Sequence, residues 1–519
     1  MNLPKRYLLC LLALGACLMA CHSPQPEETA PNILIILADD LGYGDLSCLN
    51  PDSKIPTPNM DRLASEGMLF TDMHSPSAVC TPTRYGLLTG RYCWRTRLKS
   101  GVLVGHDPAL IAPGRLTIGS LLQQQGYHTA CIGKWHLGLN WVKKDPERPL
   151  TYGPAWQLDS VNVDYSQGVT DGPNSHGFDY SYIIPSSLDI QPYAYLENHQ
   201  VLGLPMKFTE GVYPDKAGRG VFWRYGDVAS DFVFEEVLDQ LTAKAVSYLE
   251  GRADKPEQPF MLYFPLTAPH TPWLPTKEVR GASGAGRYGD FVVQVDRCVG
   301  RVLDALDRLQ LSSNTLVILT SDNGADWRPS DIEAYGHLAN YHFRGRKADI
   351  WEAGHRVPFL LRWPGKVMPG SSSPALACLT DLMATFADMH NRRLPEGAGE
   401  DSYSLLPALD GKQQPDAVRP DLIHHSLAGK FAIRKNEWKL IPSRGSGGFS
   451  QPKNYEPKEG EAPGQLYNLA QDIGENDNLY LQAPRRVAQL EQLLRHYQQT
   501  ASSRPEPEQH ALPPDSEQH

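Results

Sequence analysis

The 519-residue sequence predicts an α/β protein, with one large mixed, mostly parallel sheet flanked by helices and a smaller C-terminal α+β unit carrying an antiparallel sheet. Three observations carry this prediction. Continuous aliphatic runs such as 32–38 and 314–320 read as strands buried on both faces. Four of five such strands deliver polar, chemistry-bearing residues at their carboxyl ends, where open α/β sheets hold ligands. Beyond Gly397-Ala398-Gly399 the long runs give way to short hairpin-like strands.

In chain order, the run 32–38 ends at Asp39-Asp40, and 57–64 reads as a capped helix with Pro58 near its first position. A helix that begins inside Cys80-Thr81-Pro82-Thr83-Arg84 and ends at Gly90 sets Cys80 near a helix N-terminus, which favours anions. Residues 116–125 form an amphipathic helix closed by Gly126, and a strand over 129–133 delivers Lys134-Trp135-His136. Alternation on an extended stretch turns Lys134 and His136 to one side. Residues 141–225, rich in Pro, Gly, Tyr and Asp, read as insertions and loops on the site face. Next come a helix over 231–249, a strand over 259–264 leading to His270, a helix over 288–309, and the strand ending at Asp322-Asn323. The loop bearing Lys347 precedes a fifth strand, 359–361, and a helix over 381–389. The C-terminal unit adds strands at 431–434, 438–441 and 465–469, then a helix with Val487, Leu490, Leu493, Leu494 and Tyr497 on one face.

Forty-nine basic against 59 acidic residues give a net charge of -10, which argues against non-specific nucleic-acid binding. An anionic substrate would therefore need a local cationic pocket. At the N-terminus, Lys5 and Arg6 precede an apolar stretch over 7–18 that is shorter than the ~20 residues a membrane span needs. Leu18-Met19-Ala20-Cys21 resembles a bacterial lipobox, which would make Cys21 the lipidated first residue of an exported lipoprotein, periplasmic or anchored at the outer membrane, touching membrane only through that lipid. An ordinary secretory signal is the alternative. The expected division is a signal over 1–20, a tether over 21–31, a catalytic domain over 32–395, a C-terminal subdomain over 396–500 and a disordered tail over 501–519. Setting aside Cys10, Cys17, Cys21 and Cys80, five of the nine cysteines remain at irregular spacing, which implies no disulfide framework.

Asp39, Asp40, Asp322 and Asn323 are oxygen donors at the ends of two buried strands. Such a set suits calcium or magnesium rather than zinc, and gathered without a cation its carboxylates would repel one another. Taken singly, each pair is equally a cap or a turn. For Cys80, the ordinary alternative is a buried small hydrophobe.

Cys80-Thr81-Pro82-Thr83-Arg84, continuing as Tyr85-Gly86-Leu87-Leu88-Thr89-Gly90-Arg91, resembles the modification motif of the formylglycine-dependent (type I) sulfatases. Asp39-Asp40-Leu41-Gly42-Tyr43-Gly44-Asp45 resembles their opening motif, and the likeness runs on to Leu466-Tyr467-Asn468-Leu469. The resemblance implies an alkaline-phosphatase-like fold and a sulfuric ester hydrolase acting on O-sulfated carbohydrates of host or algal glycans, at chain ends. It implies that a formylglycine-generating maturation enzyme converts Cys80, and that Asp39, Asp40, Asp322, Asn323 and the modified residue hold Ca2+, with Mg2+ the less favoured ion. Arg84, Lys134 and Lys347 would then stabilise charge on the diol and sulfuryl oxygens, His270 would protonate the departing alcohol, and His136 would take a proton from the second diol hydroxyl. Glu352-Ala353-Gly354 departs from the commoner Glu-Gly-Gly. The run from Ser53 to Pro58 and the region from Arg95 to Lys99 look most like sulfatases acting on 6-O-sulfated galactose or N-acetylgalactosamine. Asp171, His176 and Asp189 are expected to bind sugar hydroxyls, ordinary turn roles being the alternative. Competing functions are a phosphatase or phosphodiesterase of the alkaline phosphatase superfamily, and a non-catalytic lipoprotein that binds sulfated glycans.

Overall fold

The computed structural model describes residues 30–409 and 418–504; the leader, Cys21 and most of the tether lie outside the described residues, as does 505–519. A ten-stranded sheet forms the frame. Its strands in chain order are β1 (Asn32–Asp39), β2 (Met68–Phe70), β3 (His128–Lys134), β4 (Tyr180–Ile184), β5 (Leu196–Glu197), β6 (Gln200–Val201), β7 (Phe260–Pro269), β8 (Thr315–Ser321), β9 (Phe359–Arg362) and β10 (Ser371–Ser373). They lie side by side in the order β10-β2-β9-β8-β1-β7-β3-β4-β5-β6. The central five, from β8 to β4, are all parallel, and antiparallel pairings join β9 and β5 to either flank. Every residue of β1 is buried, as its unbroken aliphatic run requires, and Ile35 lies opposite both Tyr263 and Ile318. Register with β7 shifts between Leu37 and Asp39, an irregularity at the point where the chain enters the site.

Helices cover the sheet in two packed groups. One joins α1 (Pro58–Ser65), α4 (Val237–Ala253) and α5 (Gly286–Arg308), and the other joins α2 (Cys80–Thr89), α3 (Ile118–Gln123) and α6 (Leu382–Met389). A second sheet runs antiparallel in sequence order through β11 (Asp421–His425), β12 (Phe431–Lys435), β13 (Trp438–Ile441) and β14 (Gln465–Asn468). Val487, Leu490 and Leu494 of α7 (Pro484–Gln499) close its core against Ile433, Leu440 and Leu466.

Two features depart from the sequence reading. The segment 141–225, expected to be loops, contributes β4, β5 and β6 and so extends the main sheet. Strand β11 was not expected, because its Asp-Leu-Ile-His-His sequence carries three polar residues, yet all five are buried. The described start of the final segment, 501–504, hydrogen-bonds the loop that opens the C-terminal unit, with Ser502 Oγ donating to Glu400 O and Ser503 Oγ to Asp401.

Candidate active site

Helix α2 begins at Cys80 and is buried along its whole length. Pro82 sits in the first turn, where a missing N–H costs no intrahelical bond. Thr81 Oγ1 donates to His136 O at 3.0 Å, which ties the start of α2 to the end of β3. Burial pushes the Cys80 thiol up against the pull of Lys134 and Lys347, so the unmodified side chain is a neutral thiol.

Around it the strand ends deliver matched charges. Lys134 Nζ donates to Asp39 Oδ2 at 2.6 Å, and Lys347 Nζ to Asp40 Oδ2 at 2.8 Å. Arg84 forks onto Asp322 Oδ2 through Nε at 3.1 Å and Nη2 at 2.8 Å, and spends Nη1 on Lys134 O. Burial raises the Asp39 carboxyl, but Lys134, His270 and Arg84 outweigh it and hold the group below its ordinary range. Asp322 is pushed up, by burial first and by Asp39 second. Asp40 adopts φ 66, a left-handed conformation that costs a non-glycine residue about 1–2 kcal/mol and turns its carboxylate away from the line of β1.

Two buried oxygens in this cluster accept no hydrogen bond, Asp39 Oδ1 and Asn323 Oδ1. Oxygen-only donors with unused lone pairs, pressed together in a site with three cationic side chains, fit a hard divalent cation. Ligand atoms of Asp39, Asp40 and His270 lie within 4.8 Å of one another, so the His270 imidazole stands close to the carboxylates that would hold the ion.

The histidines differ. His136 Nε2 lies 2.8 Å from Leu103 O, so it carries the proton and donates, leaving Nδ1 a buried acceptor without a partner. Burial, then Lys134 and Arg84, hold its pKa well below the ordinary histidine value. At φ 55 it breaks the simple alternation expected after β3, so its place beside Lys134 comes from a backbone turn. His270 follows β7 directly; its Nδ1 lies 2.6 Å from Thr271 O and its Nε2 3.8 Å from Asp40 Oδ2.

A family model described as Sulfatase matches residues 31–391. The chain belongs to the sulfatase family. It is 33% identical to the N-acetylgalactosamine-6-O-sulfatase of Bacteroides thetaiotaomicron, with 94% of this chain and 98% of that protein covered. It is 31% identical to human arylsulfatase A, over 90% of this chain and 86% of that one. A solved structure from work on the metabolism of multiple glycosaminoglycans by Bacteroides thetaiotaomicron superposes with a TM-score of 0.78 at 32% identity, covering 91% of this chain and all of the other.

In this sulfatase a cavity of about 380 Å³ opens over the cluster, lined by Asp40, His270 and Lys347. Of the three residues expected to bind sugar, the structure brings only Asp189 there. Its Oδ2 takes a hydrogen bond from Arg224 at 2.7 Å, while Oδ1 is buried without a partner. Asp171 and His176 do not line this cavity: they lie 2.9 Å apart, and His176 stacks on Trp135 inside the fold, where a folding role accounts for both. Arg219, Asp326 and Arg346 also line the cavity and escaped the sequence reading. For Arg346 a signal existed, since it adjoins Lys347 in Arg344-Gly345-Arg346-Lys347. Arg219 sits in the aperiodic insertion with no local cue.

Proposed function

We propose that this sulfatase removes 6-O-sulfate from terminal galactose or N-acetylgalactosamine of a glycan, using Cys80 converted to formylglycine. The observation that carries the reading is Cys80 at the first residue of a buried helix, beside the cluster of Asp39, Asp40 and Asp322 with its three matched cations. Relatives bearing the name N-acetylgalactosamine-6-sulfatase, from bacterium and mouse, support the sugar and the position. A pocket of about 380 Å³ suits a single terminal sugar.

Calcium held by Asp39, Asp40, Asp322, Asn323 and residue 80 would draw charge from the sulfate oxygens. Formylglycine at position 80, once hydrated, would supply two hydroxyls on one carbon, a nucleophile for sulfur and a second proton donor. The chain's own groups do the rest. Arg84, Lys134 and Lys347 form a preorganised cationic shell for charge on the sulfuryl oxygens. His270, in the cavity wall, protonates the departing sugar oxygen, and His136 accepts a proton at its free Nδ1. Asp189 offers its unpartnered Oδ1 to a sugar hydroxyl. The N-terminal leader and Cys21 suit an exported lipoprotein whose Cys80 is matured by a formylglycine-generating enzyme.

Peptide mass spectrometry across Cys80, with a desulfation assay on a panel of O-sulfated monosaccharides, tests this. The expected result is an aldehyde at position 80 and release of sulfate from the 6-O-sulfated sugars. An intact thiol in fully active protein would sink the proposal.

A further inference from the structure

The cavity holds more positive charge than the reaction uses. Apart from Lys347, it is lined by Arg219, Arg328, Arg346 and Lys453, in a chain whose net charge is -10. Such a local excess in a generally acidic protein focuses anions on one spot. The inner two arginines are committed. Arg219 Nη2 donates to Asp331 Oδ2 at 3.0 Å and to Asp326 O at 2.7 Å, and its guanidinium lies 4.6 Å from the centre of the Trp273 ring. Arg346 Nη1 donates to Asp326 Oδ1, and its Nη2 donates to Phe449 O at 2.9 Å. The outer two are not. Arg328 approaches Asp326 only at 4.0 Å with its side chain 49% exposed, and Lys453 Nζ makes no hydrogen bond or ion pair among the described residues.

These two come from separate segments of the chain and meet at one cavity. Arg328 precedes a short helix, Pro329–Tyr335, and Asp331 Oδ2 accepts from its backbone N–H at 2.8 Å. Lys453 belongs to the C-terminal subdomain, on a loop strapped to the site because Asp349 Oδ1 accepts from the N–H groups of Phe449 and Ser450 at 2.8 and 2.9 Å. Asp189 also lines the cavity and keeps a carboxylate oxygen without a partner. The cavity therefore carries a rim of two uncommitted cations, Arg328 and Lys453, besides the groups the reaction uses.

We propose that Arg328 and Lys453 form a second anion subsite, which binds a carboxylate or sulfate on the sugar next to the one being desulfated. This rests on the carbohydrate reading above and narrows it: the substrate is a terminal 6-O-sulfated sugar joined to an acidic neighbour, a hexuronate or a second sulfated sugar. Charge alone makes both neighbours acceptable, and a neutral neighbour leaves the rim unused.

The experiment is calorimetric binding to full-length Cys80→Ala protein, which needs no turnover. The ligands are N-acetylgalactosamine-6-sulfate alone and linked to galactose, to glucuronate, or to a sulfated galactose. The acidic disaccharides should bind about five- to tenfold more tightly than the galactose-linked one, as expected for partly exposed ion pairs. The preference should shrink at high salt. Arg328→Ala combined with Lys453→Ala should abolish it while leaving affinity for the monosaccharide unchanged. The glucuronate and sulfated-galactose arms show which anion the rim prefers. Equal affinities for neutral and acidic disaccharides, or a preference that survives the double substitution, overturns the subsite. Absence of sulfate release from all four ligands by the mature enzyme would count against the reaction itself, and the calorimetric comparison would still decide the rim.

Discussion

At the scale of the residue, the site works by pairing each buried carboxylate with a cation on a different element. Lys134 is the sharpest case, since it holds Asp39 at 2.6 Å with both side chains wholly buried. Lys134→Met keeps the bulk and removes the charge. Loss of a preorganised donor of this kind lowers kcat by roughly 10²–10³. It also leaves Asp39 with only the 3.5 Å approach of Arg84, which costs up to about 3–5 kcal/mol. Steady-state kinetics and thermal unfolding on the same preparation read both effects. For His270 the prediction depends on the leaving group. If it protonates the departing oxygen, His270→Ala should lower turnover of a sugar sulfate by about 10²–10⁴ and that of an aryl sulfate, whose phenol leaves readily, far less. Equal losses on the two substrates would remove His270 from the acid's role.

At the scale of the element, α2 has to stop sharply so that the chain can leave the core. Gly90 does this with φ 63, its N–H bonded to Gly86 O at 2.9 Å, in a place where a Cβ would sit 2.7 Å from Met383 Cβ and 2.9 Å from Gly399 Cα. Gly90→Ala combines left-handed strain of about 1–2 kcal/mol with a backbone clash. Chemical denaturation should show a loss of at least about 2 kcal/mol. The aldehyde content at Cys80 should stay unchanged, because the substitution lies at the far end of the helix. Elements of this kind were legible in the sequence wherever burial was two-sided. Strands β1, β7 and β8 announce themselves as apolar runs, and the residues at their ends are the site's carboxylates and His270. Strand β4 was not legible, because Tyr180-Ser181-Tyr182 mixes polar and aromatic side chains and sits among loop-forming residues. Nor was the cavity wall: Arg219, Arg328, Arg346 and Lys453 come from four separate segments, and only the fold makes them neighbours. His136 sits beside Lys134 for a reason different from the alternation that predicted it, a left-handed turn.

At the scale of the whole molecule, the C-terminal sheet is a buttress for the segment that leads into Cys80. Strand β11 accepts from this segment, with Ala78 N–H and Ser77 Oγ donating to His425 O at 3.0 and 3.2 Å. Buried ion pairs cross the same seam, Arg434 to Asp72 at 2.6 Å and Lys439 to Glu352 at 3.0 Å. His425 sits in that seam with its Nδ1 3.1 Å from Ser426 O and its Nε2 unpartnered, and burial lowers its pKa from the usual 6.5 to about 4. The sign follows from linkage. Above pH 6.5 the ring is neutral in folded and unfolded chains and contributes no pH dependence. As pH falls from 6.5 toward 4, the unfolded chain takes up a proton that the folded chain refuses, so stability drops by about 3 kcal/mol from this group. Other buried groups titrate in the same window, so the test is a difference. His425→Asn keeps a side-chain donor for the neighbouring carbonyl and removes the titration. Whatever the fixed cost of the substitution at pH 7.5, the variant should gain about 3 kcal/mol relative to the parent by pH 4. Denaturant melts of both proteins across that range measure it. A constant offset between the two curves would mean that His425 is protonated in the fold, and that the seam tolerates charge where its burial says it cannot.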